Sequence, residues 1–172
     1  MRVHLPAFVL GSVAPDLPLF LLTGWFFLVP RRQAGEDDLF GSLYDQYFFH
    51  HPVWIASHNF LHAPFILLGL AVLGRYALKR GRSWGFGLLW FTAGCALHSL
   101  IDIFTHHNDG PLLLFPFDWS LRFEGPISYW HPDYYGHIFL PLEMSLNVLI
   151  LAYFGGRWWR KRRRATVAAS ME

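Results

Sequence analysis

Four apolar stretches dominate this chain, running roughly from Leu5 to Val29, Phe60 to Leu78, Trp84 to Phe104 and Ile138 to Phe154. Each approaches the ~20 residues an α-helix needs to cross bilayer hydrocarbon, and in lipid the backbone must satisfy its own polar groups. The sequence therefore reads as all-α: a polytopic membrane helical bundle of about four transmembrane helices. Composition agrees, because 53% hydrophobic and 19% aromatic residues with a positive mean hydropathy are unlike an ordinary soluble domain.

The first stretch carries Pro15-Asp16-Leu17-Pro18. Proline removes a backbone donor and clashes with the preceding turn, so this helix is expected to break there. Pro18 still falls in the first turn of the second half, where a missing N–H does little harm, and Asp16 is placed to cap that half. A broken helix at membrane depth borders protein or a wet cavity, so Asp16 is expected to point inward. The stretch is too long for a signal peptide, contains Asp16 and lacks a clear small-residue cleavage site, and is therefore kept in the mature protein.

Basic residues set the expected orientation. Lys79, Arg80 and Arg82 separate stretches two and three, and Arg157 with Arg160 to Arg164 follows stretch four. Both groups read as cytoplasmic, with both termini inside and the long connections, about 30 to 59 and 105 to 137, outside. Arg31 and Arg32 oppose this scheme, although Glu36, Asp37 and Asp38 follow them. The expected division is a membrane-embedded helical domain over 1–156 and a basic cytoplasmic tail over 157–172. The net charge of +2 comes largely from that tail, which suits anionic lipid better than nucleic acid. Cys95 is alone, which excludes an internal disulfide and a multi-cysteine zinc site.

Against this apolar background the ionisable residues stand out. His98-Ser-Leu-Ile-Asp102 closes the third stretch, and an i, i+4 pair shares one helix face. Ionisable groups at such depth cost about 2.5 to 3.5 kcal/mol each on insertion scales and usually meet a neutralising partner. A metal cation is such a partner. Stretch two opens with His58-Asn-Phe-Leu-His62, a second i, i+4 pair expected on one helix, and His106, His107 and Asp109 follow the third stretch. In the expected topology all of these lie near the outer membrane surface. Imidazole and carboxylate bind zinc, which activates water against a carbonyl or phosphoryl centre. His4, His50 and His51 read as hydrogen-bonded interfacial residues, His131 and His137 lie in the right loop without i, i+4 partners, and Glu143 is a further acid in stretch four.

Gly11-Ser-Val-Ala-Pro-Asp16, the His58 to His62 pair, His98-Ser-Leu-Ile-Asp102 and the later Phe115-Pro-Phe117 resemble the bacterial membrane-bound metal-dependent hydrolases. That family is similar in motif style to zinc-dependent phospholipase C. His106-His107-Asn108-Asp109 with Ser128-Tyr129-Trp130 resembles a subgroup of those hydrolases. The chain departs from the family pattern around Asn59-Phe60 and Leu61-His62-Ala63, where the spacing differs by one residue. The resemblance implies a metal site drawn from Asp16, His58, His62, His98 and Asp102, to which His106 is added as a neighbouring candidate.

The expected activity is hydrolysis of a lipid-like phosphoester or ester in a bacterial inner membrane. A divalent metal, zinc by preference, serves as cofactor near the extracytoplasmic face, and His107 or Asp109 carries the proton. An amphiphilic substrate follows from position, since helix ends rimmed by aromatics are where lipid headgroups lie. Two alternatives stand beside it. A di-iron lipid hydroxylase or desaturase uses comparable histidine pairs, but its His-x-x-His-His spacing is not present. A non-enzymatic metal- or haem-binding membrane protein needs only two axial histidines, leaving Asp16, Asp102 and Asp109 unexplained.

Overall fold

The computed structural model describes residues 3–34 and 41–169. Glu36, Asp37 and Asp38 lie outside the described residues, as do the last three positions of the tail. Among the described residues the protein is all-helical, with only one isolated bridge, Leu112 to Arg122. Two helices are long and apolar enough to cross a membrane, or up to four if each of two bent pairs is one span.

The first pair is α1 (Leu5–Val13) and α2 (Leu17–Leu28), bent by 40° across the break at Pro15. The second pair departs from expectation. Stretch two does not begin a helix at His58. Instead α5 (Pro52–Asn59) ends there, and after a turn α6 (Pro64–Lys79) leaves at 48°. Proline is again the cause: it disfavours α conformation in the residue before it, and Ala63 is extended at φ −69°, ψ 125°. Upstream, the stretch read as an interfacial connection folds into α3 (Pro30–Ala34), α4 (Ser42–His50) and α5. Its aromatic residues supply a core: Phe26 and Trp54 are fully buried and meet edge-on, with Tyr44 and Tyr47 packed around them.

The long α7 (Trp84–Thr105) receives α1 along one side and α6 along another. Glycines permit the approach of α1. A Cβ on Gly11 would meet the Phe91 carbonyl oxygen at 2.0 Å, and one on Gly94 would meet that of Phe8 at 2.2 Å. Between α6 and α7 the chain reverses at Gly81, whose φ of +71° suits glycine. Arg82 N–H bonds to the Ala77 carbonyl and Gly81 N–H to that of Leu78, which satisfies the last carbonyls of α6.

The chain divides into two compact units, 1–126 and 127–172. The second holds a 3₁₀ turn (Pro132–Tyr134) and α8 (Gly136–Ala169), a continuous helix in which Arg162 and Arg163 lie over the Trp158 and Trp159 rings. Expected to end near Phe154, this helix runs on through the basic residues. Its apolar span covers Gly136–Arg160, and Glu143 is half-buried upon it.

Candidate metal centre

Three elements deliver the site, and two of them are chain breaks set by proline. Asp16 lies in the break between α1 and α2, His62 in the turn between α5 and α6, and His98 with Asp102 on the last turns of α7. One ligand atom from each of these four residues lies within 4.8 Å of every other. His62 Nε2 is 3.2 Å from Asp102 Oδ2 and 3.6 Å from Asp16 Oδ1, while His98 Nε2 is 3.1 Å and 3.4 Å from the same two atoms.

Hydrogen bonds to the opposite ring nitrogens give these distances meaning. His98 Nδ1 donates to the Ser12 carbonyl at 3.0 Å and His62 Nδ1 to the His58 carbonyl at 2.5 Å. A carbonyl oxygen only accepts, so in each neutral ring the proton sits on Nδ1 and Nε2 keeps its lone pair. In that form two imidazole lone pairs converge on two carboxylate oxygens, four acceptors that a cation between them would satisfy. The alternative is ring protonation, in which His62 Nε2–H donates to Asp102 Oδ2 at 3.2 Å. His98 Nε2 is buried and makes no hydrogen bond despite its two carboxylate neighbours. Tetrahedral zinc with bonds of about 2.0 to 2.2 Å holds its donors about 3.3 to 3.6 Å apart, and the four observed distances fall at or just below that range. Backbone carbonyls that orient metal-binding imidazoles through the second nitrogen are the expected outer shell of such a site.

Contrary to the expectation from sequence, Asp16 does not cap α2 with its side chain. It occupies the N-cap position in α conformation without a side-chain capping bond, and its carboxylate faces the two histidines instead. His58 lies beside the group of four and outside it. Its buried ring packs between Phe48 and His62, at centroid distances of 5.4 Å and 4.7 Å, and its carbonyl fixes the His62 ring.

His106 also lies outside the four, with Nδ1 3.1 Å from Asp109 Oδ1. Burial disfavours both charged forms, but their mutual contact outweighs it and holds His106 above, and Asp109 below, its ordinary range. His107 Nδ1 donates to the Gly125 carbonyl at 2.9 Å.

Among the remaining histidines, His4 caps α1 by accepting from Ala7 N–H. In the second unit His131 lies 3.8 Å from Asp133, and His137 Nδ1 donates to the Pro132 carbonyl.

Asn59 escaped the sequence reading. It is fully buried, its Oδ1 accepting from Leu112 N–H at 2.6 Å and its Nδ2 donating to the Ile55 carbonyl at 2.8 Å. This bond ties the 106–125 loop to the turn that carries His62. Its only signal was its place between two histidines. Asn59→Ala strands the buried Leu112 N–H, so a loss of about 1 to 3 kcal/mol in stability is expected, to be read from thermal unfolding in detergent.

These features define a class: a helical protein with apolar spans, built around two imidazoles and two carboxylates at metal-ligand spacing. The chain belongs to the zinc-dependent phospholipase C family, whose sequence profile matches residues 1–169. No curated protein and no solved structure matches it. The family depends on zinc and its activity implies a lipid substrate, and the Asp/His cluster can hold a metal ion.

Proposed function

We propose that this protein is a membrane-embedded, zinc-dependent hydrolase that cleaves a lipid-borne phosphoester. Asp16, His62, His98 and Asp102 hold the metal, and His107 and Asp109 exchange protons. The observation that carries this reading is the meeting of two Nε2 lone pairs and two carboxylate oxygens at 3.1 to 3.6 Å. Two imidazoles with two carboxylates form a donor set suited to zinc, whereas haem takes axial ligands and has no use for the acids.

A zinc ion held by these four residues would supply an activated water near neutral pH and a positive charge for the phosphoryl oxygen. The protein's own groups do the rest. The Ser12 and His58 carbonyls hold the two imidazoles so that Nε2 of each faces the metal. His107, with Nδ1–H committed to the Gly125 carbonyl, is left with Nε2 as its basic nitrogen. Asp109, fixed by His106, offers a carboxylate oxygen at the neighbouring turn.

The positive-inside rule puts the α6–α7 turn, with Lys79, Arg80 and Arg82, on the cytoplasmic side. The site lies at the opposite end of α7 and is thus extracytoplasmic, in a bacterial inner membrane, where a headgroup would meet it. Detergent-purified protein loaded with zinc is expected to release the phosphorylated headgroup from phosphatidylcholine, leaving diacylglycerol. Activity should vanish on chelation and return with zinc. An absence of phosphoester cleavage across a panel of phospholipids at full zinc loading would refute the hydrolase.

A further inference from the structure

Arg122 is a charge that the fold draws inward near the Asp109 carboxylate but, among the described residues, without a direct ion pair. Its side chain is partly buried, and among the described residues no carboxylate comes within ion-pair distance of it. One guanidinium nitrogen donates to the Gly110 carbonyl. The group otherwise lies over two aromatic rings, with Cζ 5.8 Å from the Phe48 centroid and 5.6 Å from that of Phe49. Guanidinium carries five N–H donors in a planar fork, so most of its hydrogen-bonding capacity is not used by the described residues.

Its neighbours connect it to the candidate metal ligands along two routes. Phe48 packs against His58, and His58 against His62, at ring separations of 5.4 Å and 4.7 Å. On the other route, Gly110 packs on the turn that joins Asp102 to His106, where a Cβ would meet His106 Cβ at 3.0 Å and the Asp102 carbonyl oxygen at 3.7 Å. Charge arithmetic makes the position useful. Two carboxylates and one divalent cation sum to zero, so an arriving phosphoester meets no net attraction from the metal centre itself.

We propose that Arg122 binds the phosphate of the substrate through its guanidinium fork, so that the site selects an anionic phosphoester over an uncharged carboxylic ester. This rests on the hydrolase reading above and adds to it the residue that holds the substrate's phosphate. Arginine suits the task because its fork matches two phosphate oxygens, which the point charge of lysine does not. A purely structural Arg122 would only pin the 106–125 loop on Phe48 and Phe49.

Inorganic phosphate separates the two roles. Calorimetric titration of zinc-loaded protein, with metal-free protein in parallel, is expected to show phosphate binding that weakens roughly 10- to 100-fold in Arg122→Gln, the range of lost hydrogen bonds to a charged group. Zinc content should not change. Arg122→Lys keeps the charge and the ring contact but loses the fork, so it should fold and bind phosphate several-fold more weakly than the wild type. Phosphate affinity equal to wild type in either variant overturns the proposal, even if Arg122→Gln unfolds at lower temperature. Wild-type protein that binds phosphate through Arg122 but turns over no phospholipid would instead count against the hydrolase alone.

Discussion

His98→Ala and Asp102→Ala are each expected to leave detergent-purified protein folded and nearly free of zinc. Each removes a donor from a set whose imidazole nitrogens and carboxylate oxygens stand 3.1 to 3.6 Å apart. Loss of an outer-shell partner alone typically costs 10- to 100-fold in metal affinity, so loss of a ligand should exceed about 100-fold. Both variants should lose phosphoester hydrolysis with the metal. His58→Ala is the informative contrast: its ring is outside the group, while its backbone carbonyl, which orients His62, survives the substitution. It should keep most of its zinc. Elemental analysis beside circular dichroism reads all three, and wild-type zinc content in His98→Ala and Asp102→Ala would remove the metal centre from consideration.

The second large effect concerns a residue that touches no ligand. Gly94→Ala places a Cβ 2.2 Å from the Phe8 carbonyl oxygen, and Gly11→Ala places one 2.0 Å from that of Phe91. Both obstacles are backbone, so relief requires α1 to move off α7. Overpacking of this kind costs about 1 to 3 kcal/mol and occasionally more, and a clash of two helix backbones belongs at or above the top of that range. Displacing α1 also displaces the Ser12 carbonyl and Asp16, which follow along the same segment. Either variant should therefore unfold at lower temperature and bind zinc more weakly, although neither glycine is a ligand. Gly87→Ala, on the same helix with nothing within 4 Å of its Cβ, should be neutral or stabilise by roughly 0.5 to 1 kcal/mol. Equal thermal stability of Gly94→Ala and Gly87→Ala would show that the close crossing of α1 and α7 does not hold the site together.

Much of the site could be read along the chain because its parts obey local rules. The His98 to Asp102 spacing puts both side chains on one helix face wherever α7 packs. Pro15 and Pro18 announce a break at Asp16 whatever surrounds it. The second break was less legible. Pro64 was visible, but the histidine pair at i, i+4 imitated a helical pattern, and the turn through Phe60 to Ala63 preserves that spacing through the His62 ring's bond to the His58 carbonyl. The same spacing therefore brings the His62 ring into the group of four and leaves His58 beside it, its backbone carbonyl meeting the His62 ring. Asp16 shows the converse. A cap and a metal ligand demand the same residue type next to the same proline, and only the presence of His62 and His98 opposite decides between them.

Apolar segments of membrane-spanning length, proline breaks, helical spacing and family membership were settled by the order of residues alone, because each depends on backbone chemistry within a few positions or on similarity along the chain. Which ionisable groups meet was decided only by tertiary structure. Asp16, His62 and His98 are separated by 36 to 82 positions, and no local periodicity links them. Their meeting depends on how far α1, the α5–α6 turn and α7 slide and rotate against one another, which is set by glycine contacts and buried hydrogen bonds such as that of Asn59 with Leu112. The same packing leaves His58 and His106 beside the centre and lays Arg122, in the sequence only the lone arginine of its loop, over Phe48, which packs on His58.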